Sequence, residues 1–485
     1  MTQLNRLLYA VDCLDVLNDP EKLPDKSVGL IYLDPPFNSN SAYNLPFKSR
    51  DRSLKPVEAF EDTWRWGAED DGKLLDLERN PRTRALATVV KFAQEVEGIR
   101  RRRSASLAAY LLNMAQRLYA MKRVLKDTGS IYLHCDPTAS HYLKLVMDCI
   151  YGKENLQNEC IWYYKNASRG KRRLARSHDV IFWYSKHVNS YTFNLQDILA
   201  PFESGMTEWR YAKGGQTGKE MPKGKTPDDV ITMPSLNAMA KERLGYPTQK
   251  PLALLERIVL TSSNPGDIVL DPFCGCGTTA HAAEKLGRKW IGVDISKFST
   301  GLIRRRILDN FRYLNIDDIF VLGTPESIAD ARALAQRDKF EFEKWVCGAM
   351  GANGMYKNPG EKGVDGGVDG VVELPVIRQV GSKYESQDEY VIVQVKGGNV
   401  TPDAVKALSE TVRRLGAVAG IMVCFDDQMG TVENQRDKSL WSDAYKQYPY
   451  IQGFSIKDLL AGEKPDMPPT YGYRHGGKTS APQFL

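Results

Sequence analysis

The sequence predicts an α/β protein built on two separate sheets, and three stretches carry that reading. Leu30-Ile31-Tyr32-Leu33 is an apolar strand that runs straight into Asp34 and two prolines. Ile268-Val269-Leu270-Asp271 is a second buried strand, followed by a glycine-containing loop and a helix start at Thr278-Thr279. Far downstream, the strands Tyr390-Val391-Ile392-Val393-Gln394-Val395-Lys396 and Ala419-Gly420-Ile421-Met422-Val423-Cys424-Phe425 bracket a helical stretch from Pro402 to Leu415. Apolar strands alternating with helices are the pattern of βαβ units.

The first strand ends abruptly. Pro35 and Pro36 cannot donate to a strand ladder, so the chain exits at Asp34, at the carboxyl end of its strand. Ligands of open α/β sheets bind at that end. The tetrad Asp34, Pro35, Pro36 and Phe37 suits methylation of an exocyclic amino group on a nucleobase. Such an amine is a poor nucleophile because its lone pair is delocalised into the ring; acceptors on both N–H bonds favour a more pyramidal nitrogen. Asp34 supplies one acceptor and the Pro35 carbonyl the other. Phe37 stacks on the base, a contact worth roughly 1–3 kcal/mol. Taken alone, four residues are also compatible with an ordinary strand-to-turn exit and a capping Asp.

The second strand supplies a partner for this site. Asn264-Pro265-Gly266-Asp267 is a turn, and the strand that follows feeds the loop Pro272-Phe273-Cys274-Gly275-Cys276-Gly277-Thr278. Gly275 and Gly277 let the backbone approach a ligand closely, and the hydroxyl of Thr278 or Thr279 is placed to cap the next helix. Lys289-Trp290-Ile291-Gly292-Val293 is another strand, and Asp294 at its end suits the ribose hydroxyls of a nucleotide-like cofactor. The loop lacks the full G-x-G-x-x-G spacing, so the adenosyl moiety of S-adenosylmethionine fits it better than a dinucleotide does.

With these motifs in this order, the chain resembles the permuted (beta-class) amino-methylating DNA methyltransferases, in which the catalytic motif precedes the cofactor motif. The resemblance covers about residues 1–315. It implies a Rossmann-like S-adenosylmethionine-dependent methyltransferase sheet, with Asp34, Pro35, Pro36 and Phe37 holding the target amine. Asp271, Pro272, Phe273, Gly275, Gly277, Thr278 and Asp294 would hold the cofactor. Asp12 in Val11-Asp12-Cys13-Leu14 matches the family's N-terminal acid near the active site, with Val11 in place of the usual glycine. Tyr246-Pro247-Thr248-Gln249-Lys250-Pro251 resembles the segment that packs over the cofactor, which adds Lys250 and Pro251 to the cofactor set. Residues 125–134 and 177–186 resemble the strands after the catalytic region and before the recognition region.

Composition agrees with this reading. The chain has 485 residues, 42% of them hydrophobic, enough for two or three domains with real cores. No apolar run approaches a membrane span and no signal-peptide pattern opens the chain, so a cytoplasmic protein is expected. Its 8 cysteines are scattered, and Cys274 and Cys276 have no second pair to complete a zinc site. Net charge is only +6, but the basic residues cluster. Arg100 to Arg103 form one block; Trp162-Tyr163-Tyr164-Lys165 with Arg169, Lys171, Arg172, Arg173 and Arg176 form another, suited to phosphate contact and base stacking. Residues 187–245 occupy the family's target-recognition interval, and Trp64 and Trp66 stand close enough in sequence to line the same cleft.

Beyond residue 330 the pattern restarts as a smaller α/β unit over 331–463, with a flexible tail over 464–485. Asp338 to Val346 reads as an amphipathic helix. The unit resembles the restriction-endonuclease-like core of the Mrr type. That core has an acid after one strand and an acid-x-Lys on the next, which bind a divalent metal such as Mg2+. Asp369 would be the first acid, Lys396 the catalytic lysine, and Gln394 stands where the second acid is expected. Glu341 or Glu343 would add a ligand. A neutral carbonyl in place of a carboxylate weakens a site for a hard cation, so a working nuclease and a degenerate DNA- or partner-binding module stand side by side.

The resemblance implies double-stranded DNA as partner and leaves a homodimer open. Asp at the first tetrad position resembles the adenine-N6 enzymes; a cytosine-N4 enzyme and a bifunctional restriction-modification protein are the alternatives.

Overall fold

The computed structural model describes residues 4–36, 42–44, 58–61, 64–98, 107–164, 174–201, 224–236, 240, 242–244, 246, 248–352, 368–380 and 383–468. In chain order the strands are β1 (Leu7–Tyr9), β2 (Val28–Leu33), β3 (Ala42–Asn44), β4 (Glu58–Glu61), β5 (Leu125–Cys135), β6 (Leu156–Tyr163), β7 (His178–Ser185), β8 (Val230–Thr232) and β9 (Ile268–Asp271). They continue with β10 (Lys289–Val293), β11 (Phe320–Leu322), β12 (Gly370–Val380), β13 (Lys383–Lys396), β14 (Ala419–Cys424), β15 (Leu440–Ser442), β16 (Gln447–Pro449) and β17 (Ile451–Ser455).

The main sheet has nine strands in the order β11-β1-β10-β9-β2-β5-β7-β6-β8. From β11 to β5 all neighbours are parallel, and β7 runs against both β5 and β6. β2 and β9 are buried along their whole length, as parallel strands covered on both faces require. Alternation along β2 divides the two cores: Ile31 and Leu33 pack with the helix Leu107–Val124, while Leu30 and Tyr32 pack with the helices Leu252–Ser262 and Thr278–Lys285. Strand order reverses direction between β9 and β2, late and early in the chain respectively. The crevice at their carboxyl ends is the topological switch point where ligands of such sheets sit.

The smaller sheet has the order β12-β13-β14-β17, with β12 antiparallel to β13 and the other neighbours parallel. The helix Lys339–Met350, capped by Asp338, covers one face, and Pro402–Leu415 covers the other. The two units touch backbone to backbone. A Cβ built on Gly348 would lie 2.7 Å from the Phe298 Cα, and one on Gly301 would lie 2.8 Å from the Gly348 carbonyl carbon. Helix Lys339–Met350 therefore crosses Lys297–Asn310 as closely as glycine permits. A Lys297–Glu341 pair at 3.6 Å flanks the crossing.

Two expectations are corrected here. Trp162 is a core ring rather than an exposed stacking platform, with its indole N–H donated to the Met233 carbonyl at 2.9 Å. The start of the expected flexible tail is pinned: Lys464 pairs with Asp309 at 3.2 Å, and the Asp466 amide donates to Gln452. Arg100 to Arg103, residues 165–173, most of the recognition interval and residues 469–485 lie outside the described residues. Among the described residues no helix is long and apolar enough to cross a membrane.

Candidate active site

The carboxyl ends of β1, β10, β9 and β2 meet at a cavity of about 310 Å³. It is lined by Asp34, Pro35 and Pro36 just after β2, by Asp271 to Cys276 and Thr278 at the end of β9 and in the loop after it, and by Asp294 after β10. Asp12 and Lys250 also face it. Pro251, the first residue before helix Leu252–Ser262, does not line it, and Phe37 lies outside the described residues. The structure thus brings two motifs that are far apart in the chain to one crevice.

The glycine loop is shaped by specific contacts. Gly275 and Gly277 have φ of +48° and +74°, a left-handed backbone that side chains disfavour. A Cβ on Gly277 would in addition strike Ile303 at 2.7 Å. The Asp294 carboxylate accepts from the Gly275 and Ser296 amides, both at 2.9 Å, which ties the loop to the end of β10. Neither Thr278 nor Thr279 caps the helix as expected. The N-cap is Gly277 without a side-chain bond, and the Thr279 hydroxyl instead donates to Asp271 at 2.5 Å because that buried carboxylate sits within reach. Burial pushes the Asp271 carboxyl up to about 7, against the opposing hydrogen bonds from Thr279 and the Phe273 amide. Asp294 is partly exposed by area, but its carboxylate is ringed by protein, and loss of water raises it to about 6 against the same kind of opposition. Because the folded chain holds these protons more tightly than the unfolded one, the associated stability is complete below about 4. It is lost as pH rises through about 6 to 7.

Asp34 is partly occupied. Lys250 donates to its Oδ2, while Oδ1 is buried and accepts nothing among the described residues. Lys250, expected to belong to the cofactor set, is therefore also the partner of the tetrad's acid. The pair keeps only 9% and 15% side-chain exposure, so both charges depend on each other. Asp12 has a structural task as well: Oδ1 caps helix Cys13–Leu17 through the Leu14 amide at 2.8 Å, and Oδ2 takes the buried Arg117 guanidinium.

Arg306 and a chain of Tyr32, His134 and Asp179 at this edge escaped sequence reasoning, whereas Tyr246 and Trp64 are singled out there. Arg306 donates to the Cys276 carbonyl at 2.9 Å and to the Thr278 hydroxyl at 3.1 Å, bracing the loop from below. Its signal was present, since it follows Leu302 and Ile303 on the apolar stripe of its helix, where a cation must find partners. Tyr246 lies against Gly275, with its hydroxyl 3.2 Å from Ser299 Oγ. Trp64 lines the cavity and packs edge-on against Tyr110, whereas the Trp66 N–H goes to Asp71. Tyr32, His134 and Asp179 form a hydrogen-bonded chain that begins at the cavity wall.

In the second unit, Asp369 stands immediately before β12, and its Oδ2 accepts from the Val395 amide at 2.7 Å. Gln394 Oε1 is buried without a partner among the described residues, and Glu343 is buried nearby in sequence to the helix start. No group of three or more His, Cys, Asp or Glu gathers there as metal ligands among the described residues. The expected metal set is thus reduced to one engaged carboxylate and one orphaned amide oxygen.

The chain is similar to the type II methyltransferase M.HpaI of Haemophilus parainfluenzae, at 32% identity over 208 residues, 43% of this chain and 62% of that protein. It is also similar to the DNA adenine methyltransferase YhdJ of Escherichia coli K12, at 33% identity over 175 residues, 36% of this chain and 58% of that one. The chain thus spans about three fifths of the length of each of these curated relatives. The crystal structure of the M1.HpyAVI–SAM complex matches with a TM-score of 0.36 and 17% identity over 62% of this chain and 98% of that one. The sequence profile described as restriction endonuclease matches residues 334–431. The profile described as DNA methylase matches residues 28–304, more than half of the 485 residues, and the chain belongs to this family.

Proposed function

We propose that residues 1–330 transfer a methyl group from S-adenosylmethionine to the exocyclic N6 of adenine in double-stranded DNA. The observation that carries this reading is Asp34 Oδ1, a buried acceptor with no partner among the described residues, at the end of β2 in the same cavity as Asp294 and the glycine loop. An orphaned buried carboxylate oxygen needs a donor, and an amino N–H is one. The cavity suits the cofactor: Asp294 is placed for ribose hydroxyls, and the loop backbone at Gly275 and Gly277 is open to close approach. When bound, S-adenosylmethionine supplies an electrophilic methyl on a sulfonium.

The chain's residues do the rest. Asp34 Oδ1 and the Pro35 carbonyl each accept one N–H of a base extruded from the duplex, since its amine cannot be reached inside the stack. Holding nitrogen and methyl in near-attack geometry provides the acceleration, and no covalent enzyme intermediate is needed. The adenine preference is supported by Asp at the first tetrad position and by the relative named as an adenine enzyme. Incubation of duplex DNA with the protein and labelled S-adenosylmethionine, followed by mass spectrometry of nucleosides, tests it: N6-methyladenine is expected, and N4-methylcytosine alone would refute the assignment.

The ionisation of Asp294 gives a second expected result. Its ionised carboxylate is the better acceptor for ribose hydroxyls, so cofactor affinity measured by calorimetry should weaken below pH about 6, by up to about tenfold per unit. Asp294→Asn should flatten that dependence.

For residues 331–463 the orphaned Gln394 Oε1 beside Lys396 on β13 favours a second reading, a metal-dependent nuclease. Gln394 and Asp369 would hold Mg2+, which would supply Lewis-acid polarisation of a scissile phosphate. Cleavage of unmethylated plasmid with Mg2+ that disappears in Lys396→Ala is the expected outcome; equal cutting by both proteins would remove this site from consideration.

A further inference from the structure

From the geometry of β2, β5 and β7 we infer that Tyr32, His134 and Asp179 form a proton path leading from the target amine to the protein surface. The inference rests on the methyl-transfer reading above and extends it to a step that reading leaves open, the fate of the amine proton.

Tyr32 and Asp34 are two residues apart, so they share a face at the end of β2, and both line the cavity. The Tyr32 hydroxyl lies 2.9 Å from His134 Nδ1, and His134 Nε2 lies 3.2 Å from Asp179 Oδ2. His134 is on β5 and wholly buried; Asp179 sits at the start of the reversed strand β7, at the same sheet edge as the cavity, with 16% of its side chain exposed. The line therefore runs from cavity wall to solvent across three strands.

Its polarity is set by Asp179. Burial acts to raise that carboxyl, but the hydrogen bond from His134 and the charges of Lys250 and His178 outweigh it and hold it below the ordinary carboxylate range. An ionised carboxylate only accepts, so His134 carries its proton on Nε2, its Nδ1 accepts, and Tyr32 donates. Every donor in the chain thus points away from the cavity. Other groups acting on these residues are Asp34 and Asp271 on Tyr32, and Tyr164 on Asp179, which in turn feels Asp136 and Arg176.

The chemistry requires such an exit. The nitrogen lone pair forms the N–C bond, and the C–S bonding pair returns to sulfur, leaving a neutral thioether and a cationic N-methyl amine. One N–H proton must then leave. Asp34 Oδ2 holds Lys250 and Oδ1 holds one N–H, while the Pro35 carbonyl, which holds the other, cannot keep a proton. The N–H released from the Pro35 carbonyl gives its proton to the Tyr32 oxygen as Tyr32 passes its own to His134 Nδ1, His134 gives up its Nε2 proton to Asp179, and Asp179 releases one to water. Tyr32 meets the amine; His134 and Asp179 are positioning residues acting through it.

The test is single-turnover methylation of a duplex by the full-length protein preloaded with S-adenosylmethionine, across pH and in H2O and D2O. Tyr32→Phe should slow transfer about a hundredfold, with cofactor affinity unchanged. Asp179→Asn should slow it about tenfold, with the pH profile displaced and the solvent isotope effect altered. Where Tyr32→Phe fails to fold, Asp179→Asn decides. A lowered melting temperature with a wild-type pH profile and isotope effect would mean a purely structural chain and overturns the inference. Wild-type protein that transfers no methyl group at all would instead overturn the parent reading.

Discussion

Asp34→Asn will lose methyl transfer by about 10²–10³-fold or more while its affinity for S-adenosylmethionine changes little. The substitution keeps the shape of the acid but, on the methyl-transfer reading, replaces a charged acceptor for the amine. Asp294 and the loop after β9, which face the other motif's part of the cavity, stay in place. The same change has a second effect on stability. Lys250 is buried against Asp34, and a buried cation stripped of its anion costs more than the pair contributed. Melting temperature should therefore fall in Asp34→Asn and recover in part when Lys250→Met is added, with activity absent in both. Scanning calorimetry alongside filter-binding of labelled DNA separates the two effects. Retained transfer in Asp34→Asn would remove this acid from the chemistry altogether.

Gly348→Val should separate the two units. The crossing between the helices Lys297–Asn310 and Lys339–Met350 leaves no room for a side chain, and the atoms a new Cβ would meet are the Phe298 backbone, which has no rotamer to offer. Overpacking of this kind typically costs about 1–3 kcal/mol, and here the strain falls wholly on the contact between units. A single thermal transition should split into two, the upper one raised by S-adenosylmethionine and the lower one indifferent to it. Persistence of one cooperative transition at the wild-type temperature would show that the contact is not what joins them.

Much of the main sheet was legible because its information is local. Val28 to Leu33 and Ile268 to Asp271 are continuous apolar runs ended by residues that cannot continue, and those runs became β2 and β9. Pro402 at the first turn and Gly416 just past Leu415 marked a helix whose ends matched expectation. What local reading could not reach was which side chains the fold pairs. Thr279 was expected to cap its own helix, but the buried Asp271 competes for its hydroxyl. Lys250 carries no local sign that it will find Asp34, 216 positions away. Trp162 sits amid basic residues and looked like a surface ring, yet its neighbours in space are His134 and the Met233 carbonyl. For Lys250 and Trp162 the deciding partner is tens to hundreds of residues distant, for Thr279 it is 8, and side-chain chemistry alone does not name it.

The Lys250–Asp34 pair leaves the resting site half taken: one carboxylate oxygen holds a tethered ammonium and the other stays open. The attachment of Lys250 through Pro251 to helix Leu252–Ser262 keeps that ammonium in place, so on the methyl-transfer reading an amine enters beside a fixed positive charge. Cationic stray amines are repelled there, and free nucleosides bring little binding energy of their own. A base delivered by a docked duplex brings the energy of every phosphate contact along with it. On that reading the charge beside the open oxygen is also a filter on how an amino group arrives.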